Sequence, residues 1–466
     1  MVRIVAFLLA VGMLATGCFA GSATNGDGRL RVVLPFPPAQ AMSPWGDDAL
    51  LLTRLGIAEP LVELDAGGKP VPGLAESWTR VDATTWRFRV RSGVKFHDGT
   101  TLTTQHVVDA LTKAASASPV PRAVKGLGLT VKADGDRDVV VATTKPDAML
   151  PQRLSSPNLV ILAGSAGTGP FALKSLQGKD SAVLDAFAQH WAGAPQASGV
   201  DVRFVPDGTA RAAALRAGEA DVVHALPVAA AASLDARQLL EVPLPRTVSL
   251  HLNTSKPPFA DAGLRAAARS TVDPGALAQG VYEGRADVAR GIYGPASPWA
   301  GQRTINHPTA PATPSGQKIV LATYGDRAEL PEVASVIAEA LRAKGFVVEQ
   351  VVREYSLLEP DLLAGKFDAV VSTRSYLLDT GDPFTYLATD MTCGGSYNLA
   401  RLCDPAVDAA VGQGEDPLKV EAAVLATDAL VPLVHERARI GVASGVTEVA
   451  SDSFERHLIT KATRRS

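Results

Sequence analysis

Cysteine is almost missing from this chain, with three in 466 residues. That excludes a disulfide-dense scaffold and a four-cysteine zinc site alike. A surplus of one charge is missing too: 45 Lys and Arg stand against 48 Asp and Glu. The chain therefore offers no general attraction for nucleic acid or anionic lipid. Short catalytic motifs are also lacking. No G-x-x-x-x-G-K-[ST] occurs, and the glycine-rich 164–169 segment has the wrong spacing for a dinucleotide fingerprint. Ser165, in Ala-Gly-Ser-Ala-Gly, misses the nucleophile elbow by one position. His435-Glu436 has no second His four residues from the first, and the eight histidines show no metal-ligand spacing. Neither a cofactor nor a metal site is expected. A catalytic triad needs no local motif, so a hydrolase stays open as an alternative. What is present is 46% hydrophobic residue with 20% charged, enough for a packed core. The length suits about three domain-sized units or two large lobes.

The one long apolar run lies at the start. Met1-Val2-Arg3 leads into Ile4–Ala15, followed by Thr16-Gly17-Cys18. A dozen residues make about 18 Å of helix, short of a ~30 Å hydrocarbon core. A basic start, an apolar centre and small residues before a cleavage point mark a secretory signal. Leu14-Ala15-Thr16-Gly17-Cys18 resembles a bacterial lipobox, although Ala15 stands where Leu is commoner. The resemblance implies removal of 1–17 and lipid attachment at Cys18, with 18–28 as a small, polar tether. An ordinary signal peptide that happens to contain Cys is the alternative. More than one acyl chain would anchor the body stably outside the cytoplasmic membrane. Cys393 and Cys403 then remain in an oxidising compartment, with Gly394-Gly395-Ser396 between them to turn the chain. They are expected to pair; two separate buried thiols are the other reading.

The body alternates strand and helix signals. Arg29–Leu34 and Thr85–Val90 alternate as half-buried strands do. Ile319–Tyr324 reads as a buried strand. Val333, Val336, Ile337, Ala340 and Leu341 then keep helical spacing up to Gly345. Phe346–Val352 and Phe367–Thr373 are strand-like, and 307–314 is a proline-rich loop. One pattern occurs twice: Leu-x-Ala-Gly-x-x-Asp-x-Val, at Leu215–Val223 and Leu362–Val370. Any helix–Gly–strand junction could look so; the alternative is two α/β lobes of similar build, with a ligand cleft between them.

Several segments resemble the extracellular solute-binding proteins of the peptide/nickel ABC importer family (family 5). They are Ala58-Glu59-Pro60-Leu61, Pro72–Trp78, Trp86–Thr103, Gly167–Phe171, Leu215–Asp221 and Leu252–Asp261 with Arg265. Asp379–Phe384 and Tyr397-Asn398 complete the set. The resemblance implies an α/β fold of two lobes joined by crossover strands, with an extra subdomain inserted in the first (the large type II periplasmic-binding-protein class). Lobe I would comprise 29–246 and 438–466, its subdomain about 50–163, and lobe II 247–437. Trp78, Phe88 and Phe96 would be subdomain core. Implied partners are a short peptide or a metal–chelator complex, the permease and ATPase subunits, and the membrane through the lipid anchor. No nucleic acid is implied, and the receptor would be a monomer. A tethered sensor of the same fold is the remaining alternative.

In the peptide-binding branch an aromatic residue precedes, by three positions, an Asp that pairs with the peptide ammonium. Matching Tyr376-Leu-Leu-Asp379 to that pattern implies Tyr376 as the aromatic and Asp379 as the amine acceptor. Asp382, before Pro383, reads more readily as a turn residue. Strand alternation puts Ser372, Arg374 and Tyr376 on one face, so Arg374 would line the cleft with Tyr376 and could clamp a carboxylate. A solvent-facing strand-end Arg is the bland counterpart. The short first-lobe insertion also resembles nickel and metallophore receptors. No His occurs in 308–434, which weakens direct metal ligation but leaves a preformed chelate open.

Overall fold

The computed structural model describes residues 28–466 apart from 47, 302, 304, 378–381 and 415. Cys18 and Asp379 thus lie outside the described residues. One sheet of 11 strands runs through the molecule. Along it stand 347–353, 318–324, 369–375, 239–252, 430–442, 222–223, 29–34, 199–204, 181–186 and 171–177, with 286–288 beside 430–442. Two blocks pair in parallel: Arg29–Leu34 with Gly199–Phe204 and Val222–Val223, and Lys318–Tyr324 with Val347–Arg353 and Ala369–Ser375. Strands 181–186 and 171–177 extend the first block antiparallel to the sheet's end. Between the two parallel blocks lie two long antiparallel strands, Leu239–Leu252 and Leu430–Val442. Their ladder loses register between Pro243 and Thr247, opposite Arg437 and His435. Proline has no N–H to give a ladder, so Pro243 and Pro245 favour such a break.

The repeated sequence pattern turns out to be one device used twice. The helices Gly208–Arg216 and Tyr355–Leu363 are each followed closely by a left-handed glycine, Gly218 (φ 70°) and Gly365 (φ 69°). A side chain at such a φ is strained, so Gly is needed there. The chain then re-enters the sheet through an Asp that ties two parallel strands together. Asp221 accepts from the Arg31 N–H at 2.8 Å, and Asp368 from the Val320 N–H at 2.8 Å. This is why the strand expected from Phe367 begins at Ala369: Phe367 and Asp368 are spent on the junction. The helix Glu329–Lys344 ends at Gly345 with φ 113°. It buries Leu330, Val333, Ile337 and Leu341 on the sheet, each contributing about 1.5–3 kcal/mol.

Residues 61–161 form a separate apolar core over a four-stranded antiparallel sheet, with Phe88 and Phe96 fully buried and Trp78 packed against it. A further apolar cluster joins the helices Pro383–Met391, Pro405–Gln413 and Pro417–Ala426 to Tyr293 and Tyr376. Among the described residues, no helix is long and apolar enough to cross a membrane.

Candidate ligand cleft

In a parallel block every strand delivers its following loop to the same edge, so the carboxyl ends of such strands form a natural crevice. Here both blocks open onto one cavity of about 580 Å³. Strand 29–34 leads to Phe36, Pro37 and Ala39; strand 318–324 to Tyr324, Asp326 and Arg327; strand 369–375 to Thr373, Arg374 and Ser375. The helix Ala49–Arg54, the Pro157-Asn158 turn, Arg246, Tyr355 and Tyr397 complete the wall. Phe36 is 59% exposed, a large apolar surface turned toward whatever enters.

The floor is ionic. Glu455 faces Arg246 at 2.5 Å and Arg54 at 3.8 Å. Glu436 accepts from the Thr373 hydroxyl at 2.7 Å and lies 3.9 Å from both Arg246 and Arg327. Three guanidiniums thus share these two carboxylates. Arg327 is the most open of the three, its side chain 33% exposed. Burial alone would raise the Glu455 carboxyl, but Arg246 and Arg54 outweigh it and hold it at about 2. His224, 4.0 Å from Glu455, is pushed down to about 3 by burial, reinforced by Arg54, and is neutral at pH 7.

A second polar chain lines the opposite wall. Arg374 binds Asp390 through two bonds, at 2.7 and 3.0 Å, and its guanidinium lies 4.0 Å from the Tyr397 ring centre. Burial opposes its charge, but Asp390 raises its proton affinity overall. The Tyr355 hydroxyl donates to Glu359 at 2.7 Å and lies 2.6 Å from that of Tyr397. Both ring faces are thereby fixed without a ligand. The disulfide Cys393–Cys403 closes the loop that carries Tyr397.

Of the residues singled out in the sequence, Arg374 lies on the cleft wall. Tyr376 shares its face of the strand, as alternation requires, and that face packs on helix 383–391. The Tyr376 ring is 2% exposed, its hydroxyl accepts from the Gly294 N–H at 2.9 Å, and it meets Tyr293 edge-on at 5.1 Å. Asp382, also 2% exposed, caps helix 383–391 by accepting from Phe384 N–H at 2.9 Å. Arg54, Arg246, Arg327 and Glu455 were not foreseen. Only Arg327 carries a sequence signal, since it closely follows a strand, 319–324, that reads clearly as buried. Among the described residues, no group of three or more His, Cys, Asp or Glu side chains could hold a metal ion.

A cleft of this kind, roofed by two parallel blocks on one sheet, belongs to proteins that enclose a small solute. Residues 69–398 match the family model of bacterial extracellular solute-binding proteins, family 5. The chain belongs to that family, whose members are the substrate-binding receptors of ABC importers, working with permease and ATPase components, and not enzymes. It is 27% identical to the probable di/tripeptide-binding protein 5 of Pseudomonas aeruginosa, over 81% of this chain and 82% of that one. It also resembles NikA from Brucella suis in complex with Fe(III)-EDTA (TM-score 0.83, 21% identity, 94% of this chain and 100% of that one). The periplasmic binding protein DppA from Helicobacter pylori in complex with the peptide STSA gives a TM-score of 0.75 at 20% identity, over 92% of this chain and 97% of that one.

Proposed function

We propose that this receptor captures short peptides in the cleft and hands them to a membrane permease. The observation that carries the reading is the guanidinium of Arg327, the most open of the floor, in a cavity lined also by an exposed Phe36 and paired tyrosine rings. A carboxylate drawn there gains a charge-assisted hydrogen bond, and the aromatic wall accepts an apolar side chain. Asp379 would take the ammonium at the other end of the ligand, with Arg374 and Tyr376 holding the strand that precedes it and Asp382 the helix that follows. The di/tripeptide-binding relative and the STSA complex support this choice. The lobes 29–246 with 438–466 and 247–437 would swing about the register break at Pro243–Thr247, with 50–163 as the inserted subdomain. Lipidation at Cys18 would tether the receptor, as a monomer, outside the cytoplasmic membrane.

A second reading has its own observation. Three guanidiniums sharing two carboxylates also suit a carboxylate-rich metal chelate, as in the Fe(III)-EDTA complex of NikA. Calorimetry with trialanine and with a nickel–histidine chelate separates the two. Asp379→Ala should abolish binding of free-amine peptides, and unchanged affinity in that variant would sink the peptide assignment. Cys18→Ser should move the protein from the membrane fraction to the medium or periplasm.

A further inference from the structure

One buried ion pair crosses between the 61–161 core and the helices beyond the cleft. Arg153 ends the short helix Leu150–Arg153. Its Nε donates to Asp147 at 2.7 Å, its Nη2 to the Asp382 carboxylate at 2.9 Å, and its Nη1 to the Thr385 hydroxyl at 3.0 Å. The three charged side chains are 14%, 8% and 2% exposed, so water does little to screen them. Each side is also satisfied without the other. Asp147 accepts from the Met149 N–H, while Asp382 keeps its cap bond from Phe384 and a bond from the Thr385 hydroxyl at 3.1 Å.

Removing one partner of a buried pair usually destabilises a fold because the other charge is stranded. Here separation strands neither: Arg153 retains Asp147, and Asp382 retains its helix terminus, where a carboxylate is favoured. A bridge with that property can open and re-form with the lobes. We propose that Arg153 is a positioning residue that latches the cleft shut, closing on Asp382 and Thr385 and setting how long a captured solute stays. The proposal rests on the lobes parting to admit ligand, as argued above, but not on the ligand being a peptide.

The test has a ligand-free arm and a ligand arm. In small-angle scattering of the ligand-free protein, Arg153→Met should enlarge the radius of gyration, and Arg153→Lys should do so less. Asp382→Asn keeps the cap and removes the charge, and should match Arg153→Met. Combining the two should add little, as members of one pair do. With trialanine as probe, Arg153→Met should raise the dissociation rate about tenfold, the lower bound for a charged hydrogen bond. The association rate should stay close to wild type, and so should the melting temperature of Asp382→Asn, in which Arg153 keeps Asp147; a merely structural role would not allow both. If trialanine binds to no form while the radii still differ, the latch stands and the peptide reading falls. An Arg153→Met radius equal to that of wild type overturns the latch, whatever trialanine does.

Discussion

Arg327→Met is the sharpest test of the cleft chemistry. The substitution keeps a long apolar stem and removes the one guanidinium in the ionic floor that is a third exposed. Glu436 is not stranded by it, because the Thr373 hydroxyl still donates at 2.7 Å and Arg246 remains at 3.9 Å. The fold should therefore hold, and the cost should appear in binding. A hydrogen bond to a charged group contributes about 1.5–3 kcal/mol, or about 10- to 150-fold in affinity. Because water reaches Arg327, the lower part of that range applies, about 10- to 30-fold. The control is in the ligand. A peptide whose carboxyl is amidated already lacks the charge, so it should bind weakly to wild type and lose no more than about twofold in the variant. Calorimetry of the acid and the amide against both proteins closes a thermodynamic cycle. Equal losses for the two ligands would show that Arg327 acts on the wall of the cleft and not on the ligand's carboxylate.

Three further outcomes follow from the interior. His224, His251 and His435 are held at about 3, about 3 and about 4, in each case chiefly by burial, with Arg54, Arg374 and Arg303 adding to it. The unfolded chain therefore takes up protons first, and stability should fall as pH drops below about 6.5. Each imidazole costs about 2 kcal/mol by pH 5, and a urea midpoint flat from pH 7.5 to 5 would contradict this. Glu455 acts in a lower window: its pairing is fully in force above about pH 4.5 and is lost as pH falls toward 2. Reduction of Cys393–Cys403 frees the loop bearing Tyr397. It should lower stability by about 2–3 kcal/mol and weaken ligand binding with it, both readable by melting and calorimetry in dithiothreitol. Gly167→Ala would place a Cβ 2.0 Å from the Ile57 carbonyl oxygen. Backbone cannot yield cheaply there, so a loss of about 1–3 kcal/mol is expected in denaturant titration.

Much of the α/β frame is legible because it rests on local rules. Gly218 and Gly365 stop helices through a backbone conformation that other residues resist, and Asp221 and Asp368 must satisfy an N–H of the neighbouring strand. Residue type at a fixed spacing carries that information, so a repeat of nine positions exposes two equivalent junctions. The strand boundaries were less exact for the same reason. Phe367 looks like strand by composition, but the junction needs two residues before pairing can begin.

The cleft obeys no such spacing. Arg54 and Glu455 meet across 401 residues of sequence, and Arg246 joins them from a strand whose register is broken by prolines. None of these has a neighbour in the sequence that marks it as buried charge; only the closing of the sheet brings them together. What can be inferred in advance is the edge and not the roster: ligands gather where parallel strands end. Tyr324, Asp326 and Arg327 stand at that edge, directly after a strand the sequence shows plainly, and so do Thr373–Ser375. Tyr376, one residue farther, turns its hydroxyl to the Gly294 N–H instead. Arg374 and Tyr376 share one face, yet of the two only Arg374 reaches the cavity wall. Tyr376 lies past the strand's last residue, Ser375, and packs among Tyr293 and helix 383–391; a shared face does not by itself bring a side chain to the solute.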